Sequence, residues 1–301
     1  MWGGDLALEN SLMSVSVRVE AALEALLGEA QSNATPPLLA SAVRYCVFPG
    51  GARVRPSLCL AVAEACGDEA PGLADAAAAA VEFLHCASLV HDDLPCFDDA
   101  DSRRGKPSVH RIYGEPLAVL TGDALIVLAF DVLGSAAATR PERLAPLIRT
   151  LAQGVGMPSG IVAGQAWESE PVIDVAKYHQ SKTGALFVAA TRMGAIAAGA
   201  SPAPWSLLGE KLGAAYQAAD DLMDAVSSEG EGDKPIGQDA RLHRPNLVAE
   251  LGVQGALHRL QDLVGEAVAA IPDCEGAQGL RDMVRAQAMR LTPKHLARSA
   301  A

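Results

Sequence analysis

Apolar residues recur along this chain at helical spacing. Val19, Ala22, Leu23, Leu26 and Leu27 follow the i, i+3, i+4, i+7, i+8 rhythm of one face of a helix. Upstream, Ser14-Val15-Ser16-Val17-Arg18-Val19 alternates weakly, as a strand would, but the helical register running through Val19 favours helix. The Pro36-Pro37 pair starts a second helix through Cys46, because proline suits a first turn whose N–H groups lack partners. Pro49-Gly50-Gly51 is a break. The pattern predicts further helices near 54–66, 71–93, 116–138, 141–155, 174–199 and 204–225, and three shorter ones after 240. Pro116, Pro141 and Pro204 each stand where a first turn should begin. The alanines of 76–80 lie inside a helical pattern, where alanine is the best helix former. No series of alternating strands occurs, and the polar, glycine-rich 227–233 reads as a mobile loop between helices, not a linker between domains. The expectation is one large all-α domain over residues 1–301.

At 301 residues, length alone would allow two domains of about 150 residues each. Half of the residues are hydrophobic but only 4% are aromatic, so small and aliphatic side chains must fill the core. A formal net charge of −12 argues against a nucleic-acid or anionic-membrane partner. An anionic ligand would need a local basic site or metal ions. The start, Met1-Trp2-Gly3-Gly4-Asp5, lacks the positive charge and apolar run of a signal peptide. No run of 18 apolar residues occurs, so no membrane span is expected. The uncharged stretch 150–167 carries Gln153, Gly154, Pro158 and Gly164, which suit a membrane helix poorly. Cys46, Cys59, Cys66, Cys86, Cys96 and Cys274 include no Cys-x-x-Cys pair and read as buried free thiols in a reducing cytoplasm.

Candidate chemistry lies in two acidic clusters. His91-Asp92-Asp93-Leu94-Pro95-Cys96-Phe97-Asp98-Asp99-Ala100-Asp101 puts five aspartates within ten residues at the end of an apolar helix. On an unbroken helix, residues six apart are about 240° out of phase, so Asp92 and Asp98 would diverge. Pro95 disfavours α geometry at Leu94 and turns the chain, which lets the two carboxylates converge. A solvated acidic loop is the plain alternative, but like charges this dense repel unless cations lie among them. In Gln217-Ala218-Ala219-Asp220-Asp221-Leu222-Met223-Asp224, Asp220 and Asp224 stand at i and i+4 and face the same way. Leu212, Ala215, Tyr216, Ala219 and Leu222 surround them with apolar surface, where carboxylates are costly unless they bind something. Hard oxygen donors without His or Cys suit Mg²⁺, which takes few carboxylates plus substrate phosphates and water.

Cations flank the acids. Arg103-Arg104-Gly105-Lys106-Pro107 follows the first cluster, Arg53 and Arg55 follow the Gly50-Gly51 turn, and Lys182-Thr183-Gly184 and Lys234 complete the set. Each cation alone reads equally well as a surface charge. Together with the paired aspartates they suit a magnesium–polyphosphate substrate, with guanidinium forks on the outer phosphate oxygens. His85, His91-Asp92 and a distant Asp also resemble the ligands of a helical His-Asp metal phosphohydrolase. That reading leaves Asp98, Asp99, Arg103, Arg104 and the Asp220 cluster without a role.

At these residues the chain resembles the trans-isoprenyl diphosphate synthases, or polyprenyl synthetases. The matching parts are GGARVRP (50–56), HCASLVHDDLPCFDDADSRRGKPS (85–108), GDAL (122–125), GQ (164–165), KTGALF (182–187), YQAADDLMD (216–224) and KPIGQD (234–239), in the family's order over roughly residues 40–245. The resemblance implies a bundle of isoprenoid synthase type around a deep central cavity, with the two aspartate motifs facing each other at its mouth, in a homodimer. It implies three Mg²⁺ ions bridging Asp92, Asp98 and Asp220 to the diphosphate of an allylic substrate (dimethylallyl, geranyl or farnesyl), with Asp93, Asp221 and Asp224 in support. Arg103, Lys182 and Lys234 would grip that diphosphate, and isopentenyl diphosphate would sit on Arg55, His85 and Arg104. Thr183 and Gln217, with the Lys182 carbonyl, would face the allylic cation.

Two departures stand out. The family usually has Gly-Gly-Lys-Arg-x-Arg-Pro, whereas its lysine position is Ala52 here, which removes one contact to isopentenyl diphosphate and makes Arg53 a candidate replacement. The usual acidic sequence after Gly-Gln becomes Ala166-Trp167-Glu168-Ser169-Glu170. The form resembles geranylgeranyl diphosphate synthases of carotenoid and bacteriochlorophyll pathways in phototrophic bacteria. Ala87 and Ser88 precede Asp92 by about one helical turn, where a growing tail would descend. Family members that stop at fifteen carbons often carry an aromatic at the position of Ala87, so alanine favours a twenty-carbon product. The alternatives are a farnesyl diphosphate synthase, a terpene cyclase, which needs no Arg55, His85 and Arg104 site, and a non-catalytic regulatory subunit, which usually lacks one aspartate motif. His110, His179, His243, His258 and His295 receive no role.

Overall fold

A computed structural model of the chain describes the backbone of residues 3–226 and 246–291 and the side chains of 14–225 and 246–289. The first helix, α1 (Gly3–Ala30), absorbs the weakly alternating 14–19 and buries Val15, Val19, Leu23 and Leu27 on one stripe. Next come α2 (Pro37–Val47), α3 (Val54–Ala65) and α4 (Pro71–Asp92). A short hairpin, β1 (Ser102–Arg103) and β2 (Lys106–Pro107), leads to α5 (Val109–Tyr113), α6 (Glu115–Ala136) and α7 (Pro141–Val155). Proline occupies the first turn of α2, α4, α6 and α7, as its fixed φ predicts.

The predicted helix 174–199 is divided. α8 (Ile161–Ala166) and α9 (Val175–His179) are followed by a π turn over Gln180–Gly184, and only then by α10 (Ala185–Ala197). α11 (Ser206–Val226) carries the second aspartate motif. After 240 the described residues hold two helices where three were predicted. These are α12 (Leu247–Ala269), bent at Gly252 (φ 69°), and α13 (Ala277–Leu291). The 227–233 loop lies outside the described residues, and so does Lys234.

α4 is the central strut, packing on α6, α3, α10 and α1. Its alanines at 76–80 are all buried, so neighbouring helices approach closely. Leucines, Met193 and Phe83 fill the larger core around it, and Phe187, Trp205 and Leu208 join α3, α10 and α11 to α12 and α13 in a second one. Each fully buried leucine contributes about 1.5–3 kcal/mol, so the aliphatic core suffices with few rings.

Burial pushes the thiol of Cys86 up to about 12 and that of Cys66 to about 11, which makes both inert. All six cysteines are free, but Cys96 is exposed in the loop after Pro95, which corrects the expectation of uniformly buried thiols. Two helices, α4 and α6 extended to Thr139, are long and apolar enough to cross a membrane by length and composition. The apolar window of α4 is 78% buried inside the protein and that of α6 only 39%.

Candidate active site

α4 ends at Asp92 and the chain folds straight back. The Asp98 N–H donates to the Asp92 carbonyl (3.0 Å) and the Ala100 N–H to the Asp93 carbonyl (3.2 Å). A continuing helix forbids this closure, and Pro95 ends the helix as its sequence position predicted. The carboxylates of Asp92 and Asp98 both act on Asp93 and Arg103. In the hairpin that follows, Arg104 (φ 53°) and Gly105 (φ 70°) form a two-residue loop with both φ positive, the type I′ turn that matches strand twist. It sets Arg103 on Asp93 and brings Arg104 within 3.9 Å of Glu82.

Two aspartates are committed elsewhere. Asp93 is buried, and its Oδ1 receives both Nε (2.9 Å) and Nη2 of Arg103; burial still pushes its carboxyl above the usual range. Asp221 is also buried, accepting Gln217 Nε2 at Oδ1 (2.9 Å) and the Leu247 N–H at Oδ2 (2.7 Å). It thus supplies an acceptor to the first turn of α12, where backbone N–H groups have no helical partner. Both were expected as supporting metal ligands; Asp93 also holds Arg103, and Asp221 the start of α12. Asp220 is exposed and Asp224 half-buried on α11.

The Arg55 guanidinium lies over the Phe187 ring (4.5 Å), which packs against Tyr216 (4.8 Å), and its Nε is buried without a hydrogen-bond partner. Burial pulls Arg55 below the usual guanidinium range, while Glu82, Tyr216 and Asp220 act in the opposite direction. Burial, then the charges of Arg55, Arg104, Arg103 and Arg53, hold His85 well below the usual histidine range, so its imidazole is neutral at pH 7. The charges of Arg55 and Arg104 both reach His85.

Arg53 is engaged in ion pairs of its own. It has a left-handed φ of 49° and turns inward, donating to Glu82 (2.6 Å), Glu20 (2.7 Å) and the Val47 carbonyl (2.7 Å). That buried fork is spoken for, so Arg53 does not replace the missing lysine at exposed Ala52. Glu82, its partner, went unread in the sequence. The available sign was a lone acid within the apolar stretch of α4, three residues before His85.

Lys182 and Thr183 project from the π turn, an irregularity frequent at functional sites. Lys182 Nζ donates to Glu168 (2.5 Å) and stands 3.7 Å from Asp92 Oδ1. Thr183 Oγ1 donates to Gln217 Oε1 (2.9 Å), continuing the chain to Asp221. Gly164 of the Gly-Gln motif permits this packing, because a Cβ there would lie 2.4 Å from the Lys182 nitrogen. Ala87 is fully buried in the core, and Ser88 Oγ donates to the His85 carbonyl (2.8 Å).

The donor set fits Mg²⁺. Asp92 Oδ1 is buried with no hydrogen-bond partner, an acceptor left for a cation. Among the described residues no three acidic, His or Cys side chains form a closed cage.

Residues 36–277 match the family model described as Polyprenyl synthetase. The chain belongs to the polyprenyl synthetase family. This polyprenyl synthetase is 55% identical over 285 residues to a geranylgeranyl diphosphate synthase of Cereibacter sphaeroides, covering 95% of this chain and 99% of the relative. It is 53% identical over 279 residues to the same-named protein of Rhodobacter capsulatus, covering 93% and 96%. Its fold matches a Helicobacter pylori geranyltransferase complexed with magnesium and isoprenyl diphosphate, with TM-score 0.79 and 28% identity, covering 93% of this chain and 98% of that one. The matched span of the polyprenyl synthetase contains the acidic loop, the hairpin, the π turn and the α11 motif, and the all-α bundle is the one expected.

Proposed function

We propose that the chain condenses isopentenyl diphosphate with an allylic diphosphate and releases geranylgeranyl diphosphate. One observation carries the reading: a carboxylate oxygen of Asp92 and a guanidinium nitrogen of Arg55 are both buried without a hydrogen-bond partner. The first suits a metal-bound diphosphate and the second suits another diphosphate. A terpene cyclase needs only the first.

In this reading Asp92, Asp98 and Asp220, with Asp224 nearby, would hold three Mg²⁺ ions. Bound metal neutralises charge on the departing diphosphate. Arg103, Lys182 and Lys234 bind oxygens of the allylic diphosphate. Asp93 holds Arg103 in place, and Asp221 fixes Gln217. Arg55, neutral His85 and Arg104 bind isopentenyl diphosphate. Thr183, Gln217 and the Lys182 carbonyl set dipoles against the allylic cation left when its C–O bond breaks, a preorganised stabilisation often dominant in catalysis. The double bond of isopentenyl diphosphate attacks that cation, and the released diphosphate takes the proton.

The names of the two bacterial relatives support a twenty-carbon product, and so does a small residue at Ala87. The reading extends to one synthase domain over 1–301, a homodimer, a cytoplasmic location consistent with six free thiols, and supply of carotenoid- and bacteriochlorophyll-type pathways. It needs no nucleic acid and no membrane span.

The test incubates purified protein with Mg²⁺, isopentenyl diphosphate and each allylic diphosphate in turn, and sizes the products. Geranylgeranyl diphosphate is expected. Asp92→Ala and Asp220→Ala should each lower turnover by roughly 10³-fold or more, with Tm retained. Wild-type turnover in either variant overturns the reading. Ala87→Tyr should shorten the main product to fifteen carbons; unchanged length would assign the floor of the pocket to another side chain.

A further inference from the structure

We propose that Glu168 is a positioning residue that holds the Lys182 ammonium off Asp92 and so keeps Asp92 open to a metal ion. The inference rests on Asp92 being a metal ligand, as proposed above.

Glu168 stands in the 3₁₀ turn Trp167–Ser169 that follows the Gly-Gln motif. Its Oε1 accepts two hydrogen bonds, from the hydroxyl of buried Tyr178 (2.7 Å) and from Lys182 Nζ (2.5 Å). The same ammonium stands 3.7 Å from Asp92 Oδ1, a longer ion pair beyond hydrogen-bond reach, and that buried oxygen has no hydrogen-bond partner. The Lys182 backbone has little freedom, because α8 presses Gly164 against its nitrogen. What is left to choose between the two carboxylates is the flexible four-carbon stem.

A shift of about 1 Å would seat the ammonium on Asp92, where it would compete with a divalent ion for one oxygen. Glu168, itself pinned by Tyr178, prevents that shift. Its negative charge is essential to the arrangement, since a neutral amide of the same shape leaves Asp92 as the anion that attracts the lysine.

The probe is Mn²⁺ with inorganic diphosphate, with free Mn²⁺ read by electron paramagnetic resonance on the purified full-length protein. Glu168→Gln should weaken Mn²⁺ binding by about tenfold, the scale of one contact ion pair near a protein surface. Tyr178→Phe should weaken it less, and Glu168→Asp, which keeps the charge, should stay within about twofold of wild type. Lys182→Met and the double variant Lys182→Met/Glu168→Gln should bind Mn²⁺ equally, because the penalty acts through the lysine. Unchanged binding in Glu168→Gln overturns the proposal, as does a penalty that persists without Lys182. Wild-type protein that fails to bind Mn²⁺ would instead overturn the metal-site reading itself, and this inference with it.

Discussion

His85 is neutral because burial and four arginines oppose its protonation, and this gives stability a definite pH dependence. An unfolded-state histidine gains its proton near pH 6.5. The folded state cannot take that proton until a lower pH, so the unfolded state binds more protons as pH falls through about 6.5, and stability declines. One such group contributes up to about 1.4 kcal/mol per pH unit. Thermal melts of wild type and His85→Gln between pH 7.5 and 5.5 should show a shallower decline in the variant; parallel curves would mean that His85 titrates normally. The residue types at this site were legible in the sequence, but the division of labour among them was not. Asp92 and Asp93 are adjacent and look equivalent, yet one keeps an open oxygen while the other is closed by Arg103. Asp221 is closed by the N–H of Leu247, 26 residues away. Local spacing cannot report a partner that only the tertiary fold delivers. Arg53 misled for the same reason, since its left-handed backbone and the buried Glu82 turn it inward.

Helix starts were legible because proline chemistry is local. The π turn was not, because its register is imposed by packing between α8 and α11. Gly213 of α11 marks that contact. A Cβ there would lie 2.6 Å from the Gly184 Cα, a backbone atom that cannot step aside. Gly213→Ala must separate α11 from the turn and lengthen the Thr183–Gln217 hydrogen bond, now 2.9 Å. The expected outcome is a loss of about 1–3 kcal/mol in urea unfolding and a fall in kcat exceeding any change in KM. Gly265→Ala is the matched control. It lies on exposed α12 surface with nothing within 4 Å of an added methyl, and should gain about 0.5–1 kcal/mol from helix propensity. Stabilisation of both variants alike would show that helix propensity, not the close approach to the π turn, governs Gly213.

Across the whole molecule, α4 and α6 read alike in sequence as long apolar helices, and only the fold distinguishes them. α4 is enclosed, whereas α6 turns Leu120 (51% exposed) and Val127 (68% exposed) outward, and α2 and α5, packed on it, add Leu38 and Ile112. Exposed apolar surface of this kind marks an interaction face, and a second copy of the chain is the occupant that the proposed homodimer requires. The same helix supports the end of α4 that carries the proposed metal ligand Asp92, since the Val119 carbonyl lies 3.2 Å from His91 Nε2, next to Asp92. Burying the outer face of α6 would therefore stiffen the frame on which Asp92 is carried. Val127→Glu places a charge where the partner must approach, and desolvating an unpaired carboxylate is costly. Sedimentation velocity should find wild type as a dimer at micromolar concentration and Val127→Glu as a monomer with unchanged helical circular dichroism. Turnover of that monomer should fall, with a raised Mg²⁺ requirement as the specific sign that the end of α4 has loosened. A variant that remains dimeric would place the interface elsewhere, and a fully active monomer would separate dimerisation from the site.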